Sequence, residues 1–195
     1  MRKIILASRS KARRKLLAQM GLSFVVAEAK TEESHILRGG CSKLVMDNAL
    51  AKASDVAKRY RSGVVIGADT VVLVGKKIIG KPKDLKDACR TLRLLSRRPQ
   101  WVYTGVAVID IDKAKTYIGY EKTKIYMYKL SDGQIESYFK KVSPLDKAGS
   151  FDIQGIGGIF IDRIEGCFYN VVGLPIAKLA RMLLRAGIDI FDTVK

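Results

Sequence analysis

Apolar and polar positions change period several times along the chain, and each change marks an element. Residues 2–7, Arg-Lys-Ile-Ile-Leu-Ala, read as a short buried strand running into Ser8. Ser10 predicts a helix N-cap, with Ala12, Leu16, Leu17 and Met20 as the apolar stripe and Gly21 as the stop. A second helix is predicted from Ser42 to about Tyr60, with Val45, Ala49, Ala53, Val56 and Tyr60 on one face and Lys52 beside that stripe, partly enclosed. From Gly63 to Gly75 the chain is strongly β-like, a run that Gly67 and Asp69 are expected to break. Past Lys81-Pro82, Asp84 caps a third helix carrying Leu85, Ala88, Leu92 and Leu95 on one side. Two strand-like stretches, Trp101–Ile111 and Lys115–Leu130, suit a hairpin or meander. A glycine-rich segment, Ala148–Gly158, leads into a strand at Ile159-Phe160-Ile161. The last helix starts near Pro175 and stops at Gly187, with Ile176, Leu179, Leu183 and Leu184 inward. The elements interleave without a linker or a repeat. They predict one domain over residues 1–195, of α/β class with a mixed sheet.

Charge narrows the range of partners. Of 195 residues, 36 are Lys or Arg and 19 Asp or Glu, a formal net charge of +17, which points to an anionic partner: nucleic acid, an acidic membrane surface or a phosphorylated small molecule. Residues 1–100 hold 23 of the basic and 8 of the acidic side chains, so a phosphate site should draw on the first half. A generally basic, solvated surface accounts for the single lysines equally well. Hydrophobic residues make up 48%, ample for a core, and no apolar run is long enough to span a membrane. The N-terminal apolar run is too short for a secretory signal. Cys41, Cys89 and Cys167 are far apart, without metal-ligand spacing, and the one histidine, His35, reads as a loop residue. Three such thiols suit a reducing cytosol, and the protein is expected to be cytoplasmic.

Asp69 is the most informative single residue. Inside Val64-Val-Ile-Gly-Ala-Asp-Thr-Val-Val-Leu-Val an ionised carboxylate is costly unless it is paired or metal-bound, and Gly67 and Ala68 permit close backbone approach to a site. A solvated strand end is the plainer alternative. Ser8 sits at a strand-to-helix turn before Arg9, Lys11, Arg13, Arg14 and Lys15, which is equally a phosphate site or a solvated helix face. Lys52 and Lys81 could donate to phosphate as point charges. In the segment from Asp146 to Gly158, glycines allow tight approach and the Gln154 amide can pair with the edge of a base. A glycine-rich hairpin explains that segment equally well. Asn170 reads as part of a turn before the last helix.

Taken in order, the segments resemble the Maf family of nucleoside triphosphate pyrophosphatases. The matching pieces are Leu6-Ala-Ser8, Arg13, Leu16-Leu17, Asn48-Ala-Leu-Ala-Lys52-Ala, Gly67-Ala-Asp-Thr-Val-Val72, Gly80-Lys-Pro82 with Asp84, and Thr104-Gly-Val-Ala-Val108. Lys147-Ala-Gly149, Ile153-Gln-Gly155, Ile164-Glu-Gly166 and Asn170-Val-Val-Gly-Leu-Pro175 complete the set. The resemblance implies a two-lobed, elongated mixed sheet flanked by helices with a central cleft, like that of the inosine triphosphate pyrophosphatases, and a homodimer. It also implies cleavage between the α- and β-phosphates with Mg²⁺ or Mn²⁺, giving a monophosphate and pyrophosphate.

By the same resemblance Asp69 is the general base, Ser8, Arg13, Lys52 and Lys81 contact phosphate, and Glu33 holds metal together with Asp69. The Ile-Gln-Gly form resembles the dTTP/UTP branch, in which Gln154 reads the pyrimidine with Thr70 nearby. Two positions depart from the family pattern: Ala12 stands where an arginine linked to base selection is usual, and Ser143 where a glutamate is usual.

The rival class is a non-enzymatic, basic nucleic-acid-binding protein. The two separate experimentally. Binding to a phosphate backbone weakens steeply with added salt and is indifferent to Asp69→Asn, whereas triphosphate turnover is abolished by that change.

Overall fold

A computed structural model of the protein describes residues 2–34, 37, 39–145 and 148–193, the side chains of Ala148 and Thr193 excepted. His35, Asp146 and Lys147 lie outside the described residues. The elements run β1 (Ile4–Leu6), α1 (Lys11–Gln19), β2 (Val25–Val26), α2 (Gly40–Ala57), β3 (Val64–Val74), β4 (Lys77–Ile79) and α3 (Leu85–Leu95). They continue as β5 (Gln100–Asp110), β6 (Lys115–Met127), α4 (Asp132–Phe139), β7 (Ile161–Glu165), α5 (Phe168–Val172), α6 (Ile176–Arg185) and α7 (Ile190–Thr193). The strands form a seven-stranded sheet in the order β2-β1-β3-β5-β6-β7, with β4 paired to β3. It is mixed: β1 pairs parallel with β2 and β3, while β3–β4 and β6–β7 are antiparallel. The fold is therefore α/β with a mixed sheet.

The chain divides into two compact units, one of Met1–Thr70, Thr104–Glu121 and Tyr169–Lys195, the other of Val71–Tyr103 and Lys122–Phe168. In the first unit both faces of β1 and of the start of β3 are covered. Ile4, Leu6, Val64, Ile66 and Ala68 pack with Leu16 and Leu17 of α1 and with Leu179 and Leu183 of α6. Ile5, Ala7 and Val65 turn to the other face and meet Ala49, Ala53 and Val56 of α2. Double coverage is why these strands are written as unbroken apolar runs. In the second unit Leu92 of α3, Leu130, Ile135 and Tyr138 of α4, and Phe160 form a separate core.

Gly67 does not break the β-like run, and neither does Asp69, since β3 is continuous from Val64 to Val74. A Cβ on Gly67 would overlap the Ala49 carbonyl oxygen and stand 2.9 Å from the Ala53 nitrogen, and one on Gly105 would overlap the Val45 carbonyl oxygen. These glycines let α2 rest directly on the sheet backbone; the close approach at Gly67 is to a helix. Seated so deeply, α2 brings Asn48 and Lys52, one turn apart, to Asp69, which lies two residues past Gly67 on the same side of β3.

Ser10 caps α1, accepting from the Arg13 N–H at 3.3 Å, and Asp84 caps α3, accepting from the Asp87 N–H at 2.7 Å, both as expected. Helix α2 begins at Gly40 rather than Ser42, on a left-handed Gly39. The pattern missed β2, β4, α4, α5 and α7; of these α4 carries a readable signal, the capping box of Ser131 and Gln134. The glycine-rich segment forms two short 3₁₀ turns, Ala148–Ser150 and Ile156–Phe160, and the strand after it is β7 rather than Ile159–Ile161. No helix among the described residues is long and apolar enough to cross a membrane.

Gly67→Ala or Gly105→Ala would press a methyl group into helix backbone, which cannot swing aside, and should cost about 3 kcal/mol. At roughly 2–4 °C per kcal/mol for a chain of this size, thermal denaturation should show Tm falling by about 10 °C. Gly133→Ala, in α4, meets nothing within 4 Å and should raise Tm slightly, since alanine loses less backbone freedom on folding.

Candidate active site in the first unit

Asp69 is 4% exposed, Asn48 5% and Lys52 9%, so three polar side chains share one dry place. Lys52 Nζ donates to Asp69 Oδ1 at 2.7 Å and Asn48 Nδ2 donates to Asp69 Oδ2 at 3.0 Å. A buried carboxylate is thereby neutralised and held at both oxygens, as burial demands. Lys52 also reaches Glu33 Oε1 at 2.6 Å and the Ala68 carbonyl at 3.5 Å, which occupies all three of its hydrogens. Asn48 also bonds away from the carboxylate. Its Oδ1 accepts from the Ser34 N–H and its Nδ2 donates to the Ser34 carbonyl, each at 3.0 Å. The segment carrying Glu33 is thus fastened to α2 beside Asp69.

Around Arg13 a second network closes on itself. Its Nε donates to the Gly173 carbonyl at 2.8 Å, Nη1 to the Ala68 carbonyl at 3.0 Å and to Ser8 Oγ at 3.4 Å, and Nη2 to Thr70 Oγ1 at 2.8 Å. Thr70 Oγ1 lies 2.9 Å from Thr104 Oγ1, which donates to the Asn170 carbonyl at 2.9 Å. Loss of hydration pushes the Arg13 guanidinium below its ordinary pKa, while the charges of Asp69 and Glu33 pull it up. Gly173 has φ +112°, and a Cβ there would stand 3.4 Å from Thr70 Oγ1 and 3.5 Å from Arg13 Nε. Those are ordinary contact distances, so it is the positive φ, and not space, that favours glycine at this turn.

The first unit therefore brings together Ser8, Arg13, Glu33, Lys52, Asp69 and Thr70. Lys81 and Gln154 belong to the second unit, where both are exposed. There the Gly149 N–H donates to the Gly80 carbonyl at 3.4 Å, and the Gln154 N–H to Asp152 Oδ1 at 3.0 Å. Sequence reasoning missed Asn48 and Thr104 as members of the site. For Asn48 the signal was its place four residues before Lys52 on one helix face; for Thr104 nothing local separates it from any strand threonine. Chemically, Asp69 keeps one lone pair on each oxygen, enough to accept from a water or to meet a cation, within a shell of fixed hydrogen-bond donors.

Comparison with known proteins gives the family. The family model described as Maf-like protein matches residues 3–186. The chain belongs to the Maf family. A relative from Methanosarcina barkeri, named dTTP/UTP pyrophosphatase, is 43% identical over 98% of this chain and 98% of its own length. One of the same name from Bacillus anthracis is 44% identical over 97% of this chain and 98% of its own. Among solved structures, the Staphylococcus aureus Ham1 protein superposes with a TM-score of 0.45 at 15% identity, over 65% of this chain and 72% of that one.

Removing Lys52 strands Asp69. Lys52→Met should destabilise the Maf chain by about 3 kcal/mol in denaturant titrations, because it leaves a buried charge without its cation. Adding Asp69→Leu should recover more than about 1 kcal/mol of that loss, a coupling that independent sites do not show.

Proposed function

We propose that this chain hydrolyses the α–β phosphoanhydride bond of nucleoside triphosphates, with dTTP and UTP as substrates, giving a monophosphate and pyrophosphate. The family membership and the names of relatives that match almost end to end support the reaction class. One observation carries the assignment of the site: Asp69 is dry, held at both oxygens by Lys52 and Asn48, and still has lone pairs to offer. A carboxylate so held can take the proton of a water attacking the α-phosphorus without swinging away from it. The Ser8 hydroxyl and the cations Arg13 and Lys52 would offset charge on the triphosphate; the family resemblance supports phosphate contact for Lys81 and pyrimidine reading for Gln154. Two hydrogen-bonded neighbours, Arg13 and Thr104, limit Thr70 to a lone-pair contact with a substrate.

Two carboxylates, Glu33 and Asp69, already lie close enough to share one ammonium. Hard oxygens in that number suit Mg²⁺ or Mn²⁺, which characteristically takes one or two carboxylates and completes its shell with substrate phosphates and water. Among the described residues no group of three His, Cys, Asp or Glu side chains forms a complete protein cage. Glu33 and Asp69 would hold the metal, which when bound would neutralise charge on the phosphates. The three cysteines are free thiols, in keeping with a cytoplasmic protein, and the family resemblance supports a homodimer. No observation favours the nucleic-acid-binding alternative.

The test is product analysis with a panel of nucleoside triphosphates and Mg²⁺ or Mn²⁺, for the wild type and Asp69→Asn. Monophosphate and pyrophosphate from dTTP and UTP are expected, with kcat about 10²–10⁴ lower in the variant. Diphosphate and orthophosphate, or full activity in a folded variant, would overturn the reading.

A further inference from the structure

The hydrogen-bond network around Arg13 has a direction that follows from donor counting. Thr104 has one hydroxyl proton and donates it to the Asn170 carbonyl. Between Thr70 and Thr104 the proton must therefore come from Thr70. Thr70 in turn accepts from Arg13 Nη2. The chain runs one way, from guanidinium to Thr70 to Thr104 to backbone, and it ends on the segment whose Gly173 carbonyl takes the Arg13 Nε–H.

Counting also settles which donors are left for a ligand. Four of the five N–H groups of Arg13 are engaged by the Gly173 and Ala68 carbonyls, Ser8 and Thr70, and among the described residues the second hydrogen of Nη2 has no protein acceptor. Ser8 Oγ accepts from the Ser10 N–H at 3.2 Å as well as from Arg13 Nη1. Both its lone pairs are in use, so its proton is what it can offer a ligand. An oxygen arranged to donate only is matched to an anionic oxygen and mismatched to a metal or to another donor.

We propose that Thr104 is a positioning residue for phosphate binding: through Thr70 it fixes the rotation of the Arg13 guanidinium, and through Arg13 it holds the Ser8 hydroxyl as a donor. Arg13 then acts mainly by orienting Ser8 and presents a single N–H of its own. Thr104 is fully buried and touches no substrate. The proposal rests on the reading that a triphosphate binds beside Asp69.

The test compares Thr104→Val, which keeps the shape and loses the hydroxyl, with Thr104→Ser, which restores it. KM for dTTP should rise about tenfold in the valine variant with kcat within about twofold, and the serine variant should match the wild type within about twofold on both. The pH profile of kcat should not move, since no bond to Asp69 is altered. Affinity for inorganic pyrophosphate, read by calorimetry, should fall by the same factor as KM rises. A merely structural role would lower Tm and the active fraction while leaving KM and pyrophosphate affinity alone. Folded Thr104→Val with wild-type KM and wild-type pyrophosphate affinity would overturn the proposal. If that variant does not fold, Thr70→Val cuts the same chain one link earlier and is judged by pyrophosphate affinity alone, since Thr70 also faces the base of a nucleotide and pyrophosphate has none. Failure of the functional reading is distinct: a wild type that binds pyrophosphate but turns over no nucleotide overturns that reading, while the affinity ratio of the variants still decides the relay. A wild type that does neither overturns both.

Discussion

A carboxylate and an ammonium, both nearly dry, meet at Asp69 and Lys52. Neither charge is tolerable alone in such surroundings, so the helix that carries one must stay against the strand that carries the other. Much of the first unit follows from that requirement. Helix α2 can come close enough only because Gly67 and Gly105 present bare backbone to it. Once there, its next polar residue one turn away, Asn48, completes the carboxylate's hydrogen bonding and pins the segment around Ser34. Packing and charge pairing thus support each other, with small residues at the contact and polar ones at its edge.

The formal charge of +17 looks different once the site is in view. Lys52 is balanced locally by Asp69 and Glu33, and Arg13 uses most of its hydrogens on carbonyls and hydroxyls of its own chain. The cations that matter most are therefore not a loose positive patch. Lys52 is charge-paired and Arg13 is oriented by its hydrogen bonds, so the proposed triphosphate would meet donors already in place, with little reorganisation. Among the described residues the other lysines and arginines are largely exposed, where they raise the local concentration of anions without choosing among them.

Several parts of this layout are legible from residue order alone. The caps at Ser10 and Asp84, the apolar stripes of α1, α3 and α6 except for Leu85 and Leu184, which are exposed, and the anomaly of an aspartate in a buried strand need no coordinates. Gly67 is visible but misleading, because a glycine that ends a strand and a glycine that admits a helix look the same in one dimension. Helix α4 escapes the pattern although its capping box is present, since an apolar stripe of two buried residues, Ile135 and Tyr138, is too short to show a period. Asn170 lies in α5 rather than in a turn, and what it gives Thr104 is a backbone carbonyl, which any residue type supplies.

By itself the sequence determined the class of fold, the family and the short list of residues able to do chemistry, because these depend on local pattern and ordered motifs. Tertiary structure alone decided who partners whom. Arg13 meets Gly173 across 160 positions and Thr70 across 57, and Asn48 meets Asp69 across 21. A side chain's donors are assigned only when its acceptors are in place around it. The direction of the chain from Arg13 through Thr70 to Thr104, and with it the unengaged proton of Ser8, exists only in the folded protein, because hydrogen-bond direction is settled by counting protons among groups that distant segments bring together.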